Sequence, residues 1–176
     1  MKVYGADGSF RLLPFSSWVT VIAFSPDSRF LAVANVTAIQ IYRTSDWQFE
    51  RVIFPQQGPN GPSSLAFSLD AQTLASSGPT VKLWRISDGT LLRELPAGVQ
   101  LAFSADGQAL LVAGPPIDFW NVSDGTLLKR YDEPQAFILS AALSPDNTLF
   151  AFTQPTGDLF GSPGKVVVAK NPLMNP

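Results

Sequence analysis

A short phrase, Ala-Phe-Ser-x-Asp, recurs through this chain. It reads Ala23-Phe24-Ser25-Pro26-Asp27, then Ala66-Phe67-Ser68-Leu69-Asp70, then Ala102-Phe103-Ser104-Ala105-Asp106, with a varied fourth copy at Ala142-Leu143-Ser144-Pro145-Asp146. The intervals are 43, 36 and 40 residues. Self-similarity near 40 residues marks stacked supersecondary units, each too thin to bury its own apolar face and each dependent on its neighbours. The 176 residues hold about four such units, well short of the roughly 280 that about seven would need.

Each unit reads as four short strands separated by Gly, Pro, Ser and Asp turns, the pattern of an antiparallel meander. The spacing predicts strands over 19–24, 30–34, 39–42 and 49–53 in the first unit and over 64–67, 73–76, 81–85 and 90–94 in the second. The third unit has 99–103, 109–112, 117–120 and 126–130, and the fourth has 138–143, 149–153 and 165–169. The Ser-Pro-Asp segments suit type I turns, because Pro presets φ and Asp can accept from nearby backbone N–H groups. Asp88-Gly89, Asp124-Gly125 and Asp7-Gly8 supply the residues that a hairpin with φ > 0 needs. Asp46-Trp47 lacks the glycine, so that hairpin is expected to turn differently. The run Val21-Ile22-Ala23-Phe24 reads as a strand covered on both faces.

Composition removes several functions. The chain has no Cys and no His, so it supplies no disulfide, Cys or His metal ligand, Cys nucleophile, Ser-His-Asp triad or histidine pH switch. A net charge of −2 with no Lys/Arg run speaks against a nucleic-acid or anionic-membrane partner. No apolar stretch approaches the roughly 18 residues of a membrane span. Residues 1–10 lack the basic-then-apolar plan of a signal peptide, which leaves a cytoplasmic address as the default expectation. The glycosylation triplets Asn35-Val36-Thr37 and Asn121-Val122-Ser123 are then chance matches. Asp27, Asp70, Asp106 and Asp146 are one turn position repeated, and they do not form a catalytic pair. Neither the dense oxygen alternation of a calcium loop nor a Walker-type phosphate loop is present.

The text of the repeats resembles the WD40 repeat family of β-propellers. Ala-Phe-Ser-Pro-Asp is followed by Phe30-Leu31-Ala32-Val33-Ala34. Val81-Lys82-Leu83-Trp84 leads to Ser87-Asp88-Gly89-Thr90-Leu91-Leu92, and Ile117-Asp118-Phe119-Trp120 leads to Ser123-Asp124-Gly125-Thr126-Leu127-Leu128. The family's Gly-His pair and Trp-Asp pair are absent, as is the Asp before the third strand. The Asp–His–Ser/Thr–Trp network seen in many family members therefore cannot form. The resemblance implies an all-β propeller of about four antiparallel four-stranded blades held mainly by apolar packing, with Trp84 and Trp120 between blades.

Residues 1–14 read as the end of a preceding blade, followed by blades at 19–53, 64–95 and 99–131 and a partial blade at 138–170. The expectation is a segment of a larger propeller whose open edges favour self-association. The alternatives are a closed four-bladed ring and a ring of about eight blades built from two copies. Two long loops, 54–62 and 154–164, belong to classes that open on one face of such proteins. They nominate Gln56, Gln57, Asn60, Leu159 and Phe160 as contacts for a protein or peptide partner, with Leu159-Phe160 as an apolar anchor. No catalytic, cofactor or metal site is expected. The implied role is a non-catalytic interaction scaffold. The alternatives are an enzyme or carbohydrate-binding propeller with acidic residues converging on a central channel, and a truncated product without function.

Overall fold

The repeats become five antiparallel sheets in a computed structural model, which describes residues 1–4, 8–14, 18–54, 61–132, 138–155 and 164–173. The first sheet pairs only β1 (Lys2–Tyr4) with β2 (Phe10–Leu12). The second runs β3 (Val19–Phe24), β4 (Phe30–Asn35), β5 (Ile39–Arg43) and β6 (Phe49–Ile53). The third holds β7 (Leu65–Phe67), β8 (Thr73–Ser76), β9 (Val81–Arg85) and β10 (Leu91–Leu95). The fourth holds β11 (Gln100–Phe103), β12 (Ala109–Ala113), β13 (Ile117–Asn121) and β14 (Leu127–Tyr131). The last has three strands: β15 (Ala141–Leu143), β16 (Leu149–Pro155) and β17 (Gly164–Lys170).

Every sheet is a meander in chain order, and the first strands of the second to fifth sheets, β3, β7, β11 and β15, lie side by side. The architecture is all-β and propeller-like. Among the described residues no strand pairing joins the first sheet to the last.

Sheet-to-sheet burial holds the stack together. One cluster joins Ala32, Ala34, Ile39, Ile41 and Ile53 of the second sheet to Leu65, Phe67, Leu74, Trp84 and Ile86 of the third. The next joins Ala75, Val81, Leu83 and Leu95 to Leu101, Leu110 and Val112, with Trp120 packed against them. A third joins Leu111, Ala113, Ile117 and Phe119 to Ile138, Phe150 and Phe152. Each junction buries apolar surface at about 25 cal/mol per Å². Trp84 and Trp120 therefore pack between sheets, as Tyr42 does against β1 and β2.

Trp84 Nε1 donates to Ser76 Oγ at 2.9 Å. Trp120 Nε1 is buried without a partner. Val112 occupies in the third unit the register position that Ser76 holds in the second, opposite Asp118 and Lys82 respectively.

Two expectations are corrected. Ile22 and Phe24 are exposed, not covered on both faces. The first sheet has two strands, and the buried residues of the second sheet packed toward it are Leu31 and Val33 on β4 and Tyr42 on β5. The hairpin at Asp46-Trp47 also turns like its counterparts. Trp47 adopts φ 60°, where Gly89 and Gly125 have 75° and 74°. A bulky residue is rare there. Trp47 is held by packing against the buried cluster of Leu13, Leu31, Val33 and Tyr42, and Asp46 Oδ1 accepts from Gln48 N at 3.1 Å.

Candidate partner-binding rim

The strands end on two rims with different chemistry. The turn rim carries the connections from first to second and from third to fourth strands. The Ser-x-Asp phrase there builds one structure in all four units. Ser25 Oγ donates to Asp27 Oδ1 at 2.6 Å, the same carboxylate accepts from Arg29 N at 3.0 Å, and Phe30 N donates to Ser25 Oγ at 2.9 Å. Ser68 with Asp70, Ser104 with Asp106 and Ser144 with Asp146 repeat the arrangement. The residue after each Asp is left-handed: Ser28, Ala71, Gly107 and Asn147.

Arginines of the last strands of the first three sheets tie this rim together between sheets. Arg11 Nη1 donates to Asp46 O at 2.8 Å. Arg51 donates to Ile86 O and Ser87 O. Arg93 donates to Asp124 O and Ser123 O. A guanidinium suits this role because it presents several N–H groups in a rigid fork. A Cβ on Gly125 would stand 2.5 Å from Arg93 Cδ, so the glycine also makes room for the clamp.

The turn carboxylates are thus committed to the fold. Asp70 and Asp106 line one shallow groove of about 410 Å³, yet each accepts from its own turn. Among the described residues no three Asp or Glu come close enough to hold a metal ion. The Ser25 hydroxyl, followed by the Arg29 backbone N–H, holds the Asp27 carboxyl down at about 2, from an ordinary 3.8. The Ser68, Ser104 and Ser144 hydroxyls lower Asp70, Asp106 and Asp146 in the same way.

The folded state consequently binds fewer protons in acid than the unfolded chain. The stability these turns contribute is complete above the unfolded value of 3.8 and is lost as pH falls through the lower folded values. With no His, the melting temperature is expected to stay flat from about pH 5.5 to 8 and to fall below about pH 4. Replacing Asp70 and Asp106 by Asn should make that fall shallower. A thermal-melt series over pH checks this, and a steep loss between about pH 5 and 6.5 would contradict it.

The loop rim carries the connections from second to third strands and from each sheet to the next. Its backbone is pinned across sheets. Ser77 Oγ accepts from Ser63 N at 3.0 Å and Ser64 N at 2.8 Å, and Ser63 Oγ donates to Val99 O at 3.0 Å. Ser64 Oγ accepts from Leu101 N at 3.2 Å, and Gly78 bridges to Gly98. Asn35, buried, accepts from Thr37 N, Thr37 Oγ1 and Ala38 N. On the turn rim, Asn121 accepts from Ser123 N and Oγ. Both glycosylation-like triplets are therefore side-chain-capped turns.

On this scaffold the loop rim presents apolar side chains to solvent. Trp18 is 91% exposed, Phe54 and Leu139 are each 65% exposed, and Val36 and Val99 are also exposed. In the connecting segments of the turn rim, Leu69 is the one exposed large apolar side chain among the described residues. Charge divides the other way. The turn rim holds Asp27, Arg29, Asp46, Asp70, Asp88, Asp106, Asp124 and Asp146, whereas Asp132 is the only charge on the loop-rim connections among the described residues.

Gln56, Gln57, Asn60, Leu159 and Phe160 lie outside the described residues. The loops that carry them leave and re-enter on the loop rim, after Phe54 and before Gly61, and between β16 and β17. Sequence reasoning followed loop length and so missed Trp18, which sits in a short connection. Its signal was an aromatic directly before a strand, in the uncharged run Pro14-Phe15-Ser16-Ser17-Trp18.

No protein-family profile matches the sequence, and no curated protein matches it. Solved structures do match: 1148 chains share the fold, and a fold that common does not by itself name a function. Among them is the hydrazine synthase of Kuenenia stuttgartiensis, with a TM-score of 0.71 and 15% identity over 83% of this chain. The chain spans 44% of that protein's length. At this identity the likeness concerns the fold alone.

Proposed function

We propose that this chain is a WD40-like propeller segment acting as a non-catalytic interaction scaffold, which binds a protein or peptide through its loop rim. The observation that carries the reading is the division between rims: connections with Asp132 as the one charge among the described residues, bearing Trp18, Phe54 and Leu139 in solvent on one side, and carboxylates locked into turns on the other. Large apolar and aromatic side chains on a polar-backed, rigid frame supply most of the affinity at protein interfaces, and interface centres are depleted of charge. Gln56, Gln57, Asn60, Leu159 and Phe160 belong to connections whose described ends, Phe54 with Gly61 and Pro155 with Gly164, lie on the same rim. The turn carboxylates fit a structural role better than an acid–base one, since each already accepts hydrogen bonds from its own turn.

Replacing Trp18 by Ala is expected to weaken partner binding at least tenfold, the loss of a central aromatic anchor. The melting temperature should move by less than about 2 °C, as for an exposed site. Leu69→Ala, on the turn rim, should leave binding unchanged. The check is quantitative co-purification from cells of the source organism with each variant, beside thermal melts. Equal recovery with Trp18→Ala and with the unsubstituted protein would overturn the reading.

A further inference from the structure

The junctions of the second sheet with the third and of the third with the fourth have the same two sides. The earlier sheet offers a small and an aliphatic side chain at one cross-strand pair, and the later sheet sets aromatics against it. Ala32 and Ile41, cross-strand partners, face Phe67 and Trp84. Ala75 and Leu83, also partners, face Phe103 and Trp120. At the third junction the matching pair is Leu111–Phe119, and Phe119 itself meets Phe150 edge-on.

The stack leaves one side of this junction unused at each end. The far face of the last sheet presents Ala142, Ala151 and Val168 in one register row, with Val166 beside them, and Val166 and Val168 are 68% and 60% exposed. The Ala151–Val168 pair occupies the positions of Ala32–Ile41 and Ala75–Leu83. The far face of the first sheet presents Tyr4, Phe10 and Leu12, all more than half exposed. Tyr4 and Phe10 are cross-strand partners with rings 5.9 Å apart, as Tyr42 and Phe49 are at 6.1 Å. The chain thus carries one open aliphatic face and one open aromatic face, the two halves of the junction it already builds internally.

We propose that these faces join head to tail between copies of this chain, the last sheet of one copy seating Ala142, Ala151, Val166 and Val168 on Tyr4, Phe10 and Leu12 of a second. The contact is heterologous, so it generates a ring if the rotation closes and a growing assembly if it does not. Strands are about 4.8 Å apart and rise about 3.3 Å per residue, so the two three-residue strands of the first sheet offer roughly 100 Å² in projection to the last sheet of another copy. That is well below the roughly 800 Å² per partner of a stable interface, so the association is weak and concentration-dependent. The cations on the two faces, Lys2 and Lys170, stand at opposite ends of their strands and do not oppose one another in a junction built like the internal ones. This surface is distinct from the loop rim and does not depend on a partner binding there.

The test is size-exclusion chromatography with light scattering on the full chain, from about 10 µM to about 1 mM, because a contact this small is weak. The unsubstituted protein should exceed its 19.0 kDa monomer mass as concentration rises. Val168→Asp and Tyr4→Asp each place a charge on one face only, at exposed positions, so both should fold with unchanged melting temperature. Each alone should remain monomeric, with a dissociation constant raised at least tenfold, the penalty of an unpaired charge in an interface. An equimolar mixture of the two should pair one to one, because each variant keeps the face the other lacks. Val166→Asp and Leu12→Asp repeat the cross independently. Three results would overturn the proposal: an unsubstituted chain that stays monomeric throughout, a Val168→Asp chain that associates as well as the unsubstituted one, or single variants that are monomeric and do not pair when mixed.

Discussion

Replacing Phe150 by Ala is expected to destabilise the protein by about 3–5 kcal/mol, the cost of removing a large aromatic from a core that cannot collapse around the cavity. Phe150 is 1% exposed. Its ring meets Phe119 edge-on at 5.6 Å and Tyr131 edge-on at 5.2 Å, and stacks on Phe152 at 5.8 Å. These contacts form the junction that fastens the last sheet to the fourth. Stability in a stacked array is a sum of unit and neighbour terms, so losing one interface term acts locally first. Hydrogen exchange should show β15–β17 losing protection before β7–β10, with the overall melting temperature about 10 °C lower. A loss under about 1 kcal/mol would mean that the last sheet is held some other way.

Gly98→Ala is the second large effect. A Cβ at Gly98 would lie 2.2 Å from Val112 Cγ1, far inside contact distance. Val112 is 2% exposed in the cluster between the third and fourth sheets and has no room to retreat. Gly98 is also tied to Gly78 by a backbone bridge, so the backbone resists moving away. The expected cost is about 2–3 kcal/mol, the range for overpacking a filled core. Val112→Ala in the same chain should return at least about 1 kcal/mol of that loss, because neighbours sharing one space are not additive. Urea unfolding of the two single variants and the double variant measures the coupling. Additive losses would show that the clash is not the cause.

Much of this architecture is legible in the sequence, because its determinants are local and repeated. Ser25-Pro26-Asp27 carries its own hydrogen-bond acceptors and its own φ preference, and Asp88-Gly89 carries its own left-handed residue. Both were read directly, and the structure puts Trp84 and Trp120 between sheets as the repeat text implied. What escaped depends on neighbours. Ile22 and Phe24 have the sequence of a buried strand, and only the two-stranded first sheet leaves them exposed. Asp46-Trp47 breaks the glycine pattern, yet tertiary packing around Trp47 imposes the same turn. The clamps of Arg11, Arg51 and Arg93 are visible in retrospect as a basic residue at one position of the last strand of successive sheets. Their targets are backbone carbonyls of the next unit, which no side-chain pattern announces. Trp18 escaped for a related reason: its exposure is set by what fails to cover it.

The most direct test of the loop rim as the binding surface is site-specific photo-crosslinking in cells of the source organism. A benzophenone side chain is placed in turn at Trp18, Val36, Phe54 and Leu139 on the loop rim and at Leu69 on the turn rim. The scaffold reading predicts adducts with the same protein partner from several of the loop-rim positions and none from Leu69. Adducts concentrated at Leu69, or none from any loop-rim position, would contradict it.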